Sequence, residues 1–166
     1  MTGNSMTNNQ TRPDRSILDP QTRAVVEMLE KDPFLDLSMT PAEMRLTFDR
    51  FYERIGYPDL PVAHVEDLEV PGKAGPIAVR LYYPLDGPEE KLPACVFYHG
   101  GGMMMGSIGA YDGLCRRLCA KSGAIVISSS YRLAPENKFP AAAEDAIAVF
   151  EWVYENAGRD AALQMR

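Results

Sequence analysis

The sequence predicts an α/β fold in which a mostly parallel sheet is flanked by helices, and two features of the chain support this. After residue 62, strand patterns alternate with helix patterns, as they do in βαβ units. Residues 95–98 and 124–127 are continuous apolar runs without alternation, which is typical of strands that are buried on both faces. Together these features favour parallel strands joined by helical crossovers.

Composition limits the classes of partner. The 166 residues are enough for one domain with a hydrophobic core, and the net charge of −6 without a basic stripe argues against nucleic acid. No apolar run is long enough to span a bilayer, and the polar N-terminal stretch lacks the apolar core of a signal peptide or anchor. We therefore expect a cytoplasmic protein whose partners are neither membrane nor nucleic acid.

Two helix patterns precede the first strand. Residues 1–16 are polar and are predicted to be a disordered tail. Asp19 and Pro20 suit the N-cap and first position of a helix that continues to residue 31. Residues 40–43 match a capping box that opens a second helix ending near residue 55. The two helices define an N-terminal segment, residues 17–57.

The strand patterns differ in their expected exposure. Residues 65–70 form the first, so His64 precedes it. Residues 77–83 alternate apolar and polar positions, which predicts an antiparallel strand with one wetter face. Residues 95–98 and 124–127 are predicted to be buried strands, as described above.

Two helix patterns follow the three successive glycines at residues 100–102. The first is an amphipathic pattern from residue 111 that ends near Gly123. The second is opened by Pro140 and ended by Gly158. Its predicted buried stripe comprises Ala143, Ala146, Ile147, Phe150, Val153 and Tyr154.

The pattern of the cysteines indicates buried thiols and not disulfides or metal ligands. Three cysteines form no disulfide framework, and Cys95 lies in an apolar strand, where it is expected to be core. Cys115 and Cys119 share one helix face, and a metal pair there is conceivable. No CxxC motif is present, however, and the nearest imidazole, His99, lies in the glycine turn. We interpret them as packed thiols in a reducing compartment and expect no metal.

The apolar strand at residues 95–98 ends in a histidine and three glycines, residues 99–102. Glycines allow positive φ and let backbone N–H groups approach a ligand closely, so such a turn suits an oxyanion or a phosphate. A plain flexible turn after a core strand is the alternative. A dinucleotide-type phosphate loop does not fit, because Met105 stands where the last glycine would be.

Three motifs occur in the order and spacing of a known family: residues 99–102, 131–136 and 139–146. They resemble the hormone-sensitive-lipase-like branch of the α/β-hydrolases, whose HGGG motif donates to an oxyanion. The resemblance covers about residues 17–158. It implies an incomplete α/β-hydrolase fold, with residues 17–57 as a helical cap and residues 58–166 as the first half of the core. It also implies hydrolysis of small carboxylic esters without metal or cofactor.

The resemblance assigns roles to individual residues. Gly101 and Gly102 would donate their backbone N–H groups to the oxyanion of the tetrahedral intermediate. The mouth of the acyl pocket would be formed by Met103, Met104 and Met105. The glycine turn and the loop facing it would be supported by His99, Gly100, Arg132 and Asp145, and Glu136 would also be structural.

The family's catalytic triad is not found in this sequence. The chemistry needs a G-x-S-x-G elbow followed by an acid and a histidine. The nearest match is the stretch around Ser107, Gly106-Ser107-Ile108-Gly109, but Met105 stands where the elbow has its first glycine. The only histidines of the sequence are His64 and His99. We therefore expect a truncated or inactive carboxylesterase. The alternatives are a non-catalytic small-ligand-binding protein on the same fold and a remnant without function.

The resemblance also predicts how the chain behaves alone. In the family, the strand at residues 95–98 has the strand at 124–128 on one side and the elbow strand on the other. Without the elbow strand its edge would be open, which favours aggregation. We expect self-association through this edge.

Overall fold

The computed structural model describes residues 14, 16–31, 36, 38–85 and 92–156. The chain divides into two compact units, Met1–Phe34 and Leu35–Arg166. The first unit contains helix α1 (Pro20–Lys31). The carboxylate of Asp19 accepts hydrogen bonds from the backbone N–H groups of Gln21 and Thr22, both at 3.0 Å, which confirms the predicted N-cap. The predicted tail lies almost entirely outside the described residues, and the predicted domain boundaries stay predictions.

The described residues of the second unit form seven elements. In chain order they are α2 (Pro41–Ile55), β1 (His64–Gly72), β2 (Gly75–Tyr83), β3 (Ala94–Tyr98), α3 (Asp112–Ser122), β4 (Ile125–Ser129) and α4 (Ala141–Asn156). The strands form one sheet in the order β1-β2-β4-β3. Helices and strands follow each other as the sequence indicates, so the α/β class is confirmed.

The described part of the sheet is mixed. β3 and β4 are parallel, whereas β2 is antiparallel to both β1 and β4. The expectation of a mostly parallel sheet therefore holds only for β3 and β4, because β1 and β2 form a hairpin whose pairing continues to Gly72 and Gly75. The same pairing extends β1 beyond its predicted bounds, and His64 is its first residue rather than the one before it.

The helix ends follow local sequence signals. Thr40 and Glu43 form the predicted capping box of α2: the Thr40 N–H donates to the Glu43 carboxylate at 2.8 Å, and the Glu43 N–H donates to the Thr40 hydroxyl at 3.3 Å. α3 ends at Gly123, which has φ 67° and donates its N–H to the carbonyl of Cys119. This left-handed cap is the geometry that glycine favours.

The core has one cluster on each face of the sheet. The larger cluster lies between the sheet and α4, and consists of Val70, Ile77, Val79, Leu81, Tyr83, Ile125, Ile127, Val149 and Val153. The smaller lies between the sheet and α3, and consists of Tyr82, Cys115, Cys119 and Val126. A helix therefore covers each face, and Cys115 and Cys119 are buried free thiols, as predicted.

Three expectations about burial are wrong. Cys95 is exposed, and β3 is exposed or half-buried along its length, because β4 is its only partner among the described strands. The buried face of α4 is Ala141, Asp145, Val149 and Val153, and the predicted stripe members Ile147, Phe150 and Tyr154 are exposed. Tyr82, on the supposedly wetter face of β2, is fully buried because α3 covers it.

Asp112 joins α3 to β2. Its carboxylate accepts hydrogen bonds from the hydroxyl of Tyr82 at 2.8 Å, from Arg80 at 3.0 Å and from Arg116 at 2.6 Å. Burial by itself raises the pKa of Asp112, but the hydrogen bonds from Arg116, Tyr82 and Arg80 outweigh burial and hold the pKa below its ordinary value.

We expect Asp112→Asn to lower the free energy of unfolding at pH 7 by about 1–2 kcal/mol, because an amide loses the charged hydrogen bonds. A carboxyl whose pKa is lowered by folding stabilises the protein above its unfolded pKa, and this contribution is lost as the pH falls through the folded pKa. The difference between wild type and variant should therefore shrink below about pH 4. Urea denaturation across this pH range measures it, with Glu151→Gln at an exposed position on α4 as control. A difference that is constant with pH would contradict the assignment.

Candidate functional site

The backbone after β3 adopts a conformation that ordinary residues avoid. Gly101, Gly102 and Met103 have φ values of 125°, 64° and 59°. A Cβ on Gly101 would overlap the carbonyl group of Met105, whereas a Cβ on Gly102 would meet nothing within 4 Å. Position 101 therefore requires glycine for both its dihedral angle and its surroundings.

Two carbonyl groups of this turn accept backbone hydrogen bonds. The Gly101 carbonyl accepts from the N–H groups of Met104 at 3.1 Å and Met105 at 3.0 Å, and the Met103 carbonyl accepts from Ala134 at 2.9 Å. In contrast, no described residue accepts a hydrogen bond from the N–H of Gly101 or Gly102. Two amides that follow the carboxyl end of β3 are thus left available for a ligand.

A cavity of about 360 Å³ lies beside the glycine turn, with Gly100 and Gly102 in its lining, whereas Gly101 is not among the lining residues. It is lined by Tyr98, His99, Gly100, Gly102, Met103, Tyr131, Ala142, Ala143 and Ala146. The lining combines the carboxyl end of β3, the glycine turn, the loop after β4 and the first turns of α4. In open α/β sheets, ligands bind outside the carboxyl ends of the strands. The cavity, its apolar floor and the amides of the turn form the candidate active site.

His99 is built into the wall of the site. It is 5% exposed, and its ring stacks on Tyr131 with 4.4 Å between ring centroids and on Tyr111 with 6.0 Å. Its Nδ1 lies 3.0 Å from the carbonyl oxygen of Gly100, a contact that requires a proton on Nδ1. Burial lowers the pKa of His99, which favours the neutral ring. The hydroxyl of Tyr131 donates to the His99 carbonyl at 2.6 Å.

Arg132 and Asp145 tie the loop after β4 to α4. Asp145 is 2% exposed and accepts from the Arg132 guanidinium at 2.8–3.0 Å and from the Arg132 backbone N–H at 2.9 Å. A buried carboxylate with several charged and backbone donors is well satisfied. The pair therefore fixes the loop that carries Tyr131 beside His99.

Arg45 is a site residue that the sequence analysis missed. It lies on α2, and its guanidinium donates to the carbonyls of Met104 and Ala134, both at 2.8 Å, and to both carboxylate oxygens of Glu136 at 3.0 and 2.6 Å. Its one signal in the sequence is its position beside the apolar stripe of α2, between Met44 and Phe48, and that signal does not distinguish it from an ordinary surface arginine.

The remaining predicted residues occupy different positions. Met103 lines the cavity and is 59% exposed, Met104 is half-buried, and Met105 is buried outside the cavity lining. The hydroxyl of Ser107 accepts from the N–H of Ala110 at 3.1 Å within a turn. His64 lies on β1, which is at the opposite edge of the described sheet from β3. Within the described residues, neither histidine is hydrogen bonded to a serine hydroxyl.

Known proteins resemble both the sequence and the structure. A profile of the α/β-hydrolase fold matches residues 95–166. Esterase LipI of Mycobacterium tuberculosis is 39% identical over 134 residues, which are 75% of this chain and 42% of LipI. The carboxylic ester hydrolase LipN of the same organism is 48% identical over 99 residues, which are 58% of this chain and 26% of LipN.

A solved structure has a similar fold. The hyperthermophilic esterase from the archaeon Pyrobaculum calidifontis superposes with a TM-score of 0.78 at 42% identity, over 84% of this chain and 44% of the esterase. These similarities confirm the predicted resemblance to the hormone-sensitive-lipase-like α/β-hydrolases, and the described part of the chain has part of that fold. It spans less than half the length of these relatives. In the described part of the chain, no helix has the length and apolar character needed to cross a membrane.

The two central glycines should respond differently to substitution. We expect Gly101→Ala to lower the free energy of unfolding by about 3 kcal/mol, because its dihedral angle is nearly exclusive to glycine and a Cβ would overlap Met105. Gly102→Ala should cost about 1 kcal/mol, the penalty of a left-handed conformation in open space. Chemical denaturation of both variants measures the difference. Equal losses would show that the turn does not have this geometry.

Proposed function

We propose that this chain carries the oxyanion hole of a carboxylic ester hydrolase that acts on small esters. The observation that supports this proposal is that the N–H groups of Gly101 and Gly102 have no acceptor among the described residues, in a turn whose Gly100 and Gly102 line a mostly apolar cavity. When a nucleophile attacks an ester carbonyl, its oxygen becomes an anion, and fixed N–H donors stabilise that charge. Loss of one such donor in comparable sites costs about 3–4 kcal/mol of transition-state stabilisation.

The proposed roles of the neighbouring residues follow from their contacts. His99, Gly100, Arg132 and Asp145 support the turn and the loop beside it, since His99 and Asp145 are buried and hydrogen bonded. We do not assign His99 the role of general base, because its ring is buried and stacked on Tyr131 and Tyr111, and no described serine hydroxyl is hydrogen bonded to it. Met103 and Met104 would contact the acyl group at the cavity mouth, and Met105 would support them from beneath.

The nucleophile, the acid and the base are proposed to lie outside these 166 residues. His64 and His99 are the two histidines of the sequence, and neither is placed to activate a described serine. On this proposal the chain is a truncated or inactive form by itself. Its chemistry needs no metal or cofactor, because the amides supply the positive electrostatic potential that a metal ion supplies elsewhere. Three free cysteines suit the reducing cytoplasm.

We expect the 166-residue protein to hydrolyse p-nitrophenyl butyrate no faster than buffer. Fusing it to the part of the Pyrobaculum calidifontis esterase that it does not cover should restore turnover, because that part would supply the missing groups. Initial rates with a chromogenic ester measure both. Saturable hydrolysis by the 166 residues alone would refute the proposal that the nucleophile, the acid and the base lie outside them.

The fusion also tests the oxyanion hole. Gly101→Ala should lower kcat at least 100-fold with little change in KM, because its Cβ would overlap the Met105 carbonyl and displace the donor amides, which act on the transition state. Gly75→Ala is the control for a positive φ, because Gly75 has φ 140° at the start of β2, where a Cβ meets nothing within 4 Å. An active fusion that is equally sensitive to both substitutions would exclude the proposed role. Tight binding of an ester by a fusion without turnover would favour the ligand-binding alternative.

We also propose that the chain self-associates through the edge of β3 that no described strand covers. The five residues of β3 carry no charge, and Ala94 and Cys95 are exposed. Natural edge strands are protected by charges, which make pairing with another strand costly. We expect Cys95→Lys to shift the chain toward monomer by sedimentation velocity. Leu85→Lys adds the same charge at an exposed position outside the strand and should leave association unchanged.

A further inference from the structure

Arg45 connects three segments that are far apart in the sequence. From α2 it reaches the glycine turn through Met104, and the loop after β4 through Ala134 and Glu136. Its side chain is 26% exposed, so solvent competes only partly for these hydrogen bonds. One planar guanidinium satisfies two carbonyls and a carboxylate, which an ammonium group with its different geometry does not reproduce.

The glycine turn needs such external support. Met103 is a non-glycine residue at φ 59°, and a residue in that region persists only where its surroundings hold it. The Met103 carbonyl is bonded to Ala134, and the carbonyls of Met104 and Ala134 are both bonded to Arg45. The guanidinium of Arg45 thereby holds the peptide groups of Met104 and Ala134, and Ala134 in turn holds that of Met103.

We propose that Arg45 is a positioning residue that holds the glycine turn so that the N–H groups of Gly101 and Gly102 face the cavity. Its relevance to catalysis rests on the proposed function. Glu136 orients the guanidinium of Arg45 by accepting two hydrogen bonds from it. In this way, helix α2 controls the geometry of the turn without touching the reacting atoms.

The test is hydrogen exchange by mass spectrometry on the full 166-residue chain. In peptides covering residues 99–106, Arg45→Met should raise the exchange rate of the hydrogen-bonded amides of Met104 and Met105 at least tenfold. Exchange in peptides covering β4 should stay unchanged. Arg45→Lys should give an intermediate rate, because it keeps the charge but not the planar geometry. Arg80→Met is the matched control, since Arg80 is similarly exposed at 29% and pairs with Asp67 and Asp112 instead.

The outcomes separate positioning from general stability. A rise at the turn alone supports the proposal. An equal rise in the turn and in β4, or no rise in either, overturns it. If Arg45→Met does not fold, Arg45→Lys and Glu136→Gln decide by the same criterion. The charge swap Arg45→Glu with Glu136→Arg should not restore protection, because the swapped guanidinium starts from a loop instead of from α2.

A kinetic measurement distinguishes this proposal from the proposed function. In the fused esterase described above, Arg45→Met should lower kcat with KM nearly unchanged, and Arg80→Met should alter neither. If the fusion has no esterase activity, the proposed function fails while the exchange result still decides the role of Arg45. If the fusion is active and Arg45→Met alters neither kcat nor turn exchange, the positioning role is excluded.

Discussion

The site depends on one constraint of backbone hydrogen bonding, which is that the carbonyls of Gly100 and Gly101, whose peptide groups carry the N–H groups of Gly101 and Gly102, are both hydrogen bonded. Gly100 is bonded to His99, Gly101 to the following residues of the turn, Met103 to Ala134 and Met104 to Arg45. A peptide group held at its oxygen cannot rotate its N–H freely. The amides of Gly101 and Gly102 are therefore fixed in orientation while they have no acceptor among the described residues.

Local signals in the sequence were sufficient for most of the fold. Asp19, Thr40 and Gly123 mark helix ends through chemistry that acts within four residues. The apolar run at 124–127 correctly predicts a fully buried strand. The glycines at 100–102 predict a turn with positive φ because no other residue adopts it so readily. Each of these inferences concerns a few adjacent residues.

Features that depend on distant partners could not be predicted. The sequence of α2 does not reveal that Arg45 reaches Glu136, 91 residues away. The apolar residues of β3 look like core, yet the strand is an edge of the described sheet, since burial depends on which strands are present beside it. On α4, apolar residues occupy more than one face, so periodicity alone did not identify the face that packs.

The position of β4 has a consequence for the order of folding. β4 lies between β2 and β3, although it follows both in the chain. The β1–β2 hairpin can form early from local contacts, but β3 has no partner among the described strands until residues 125–129 have left the ribosome. The nascent strand must wait through the synthesis of the glycine turn and α3, and chaperones that bind apolar segments would find it accessible throughout that interval.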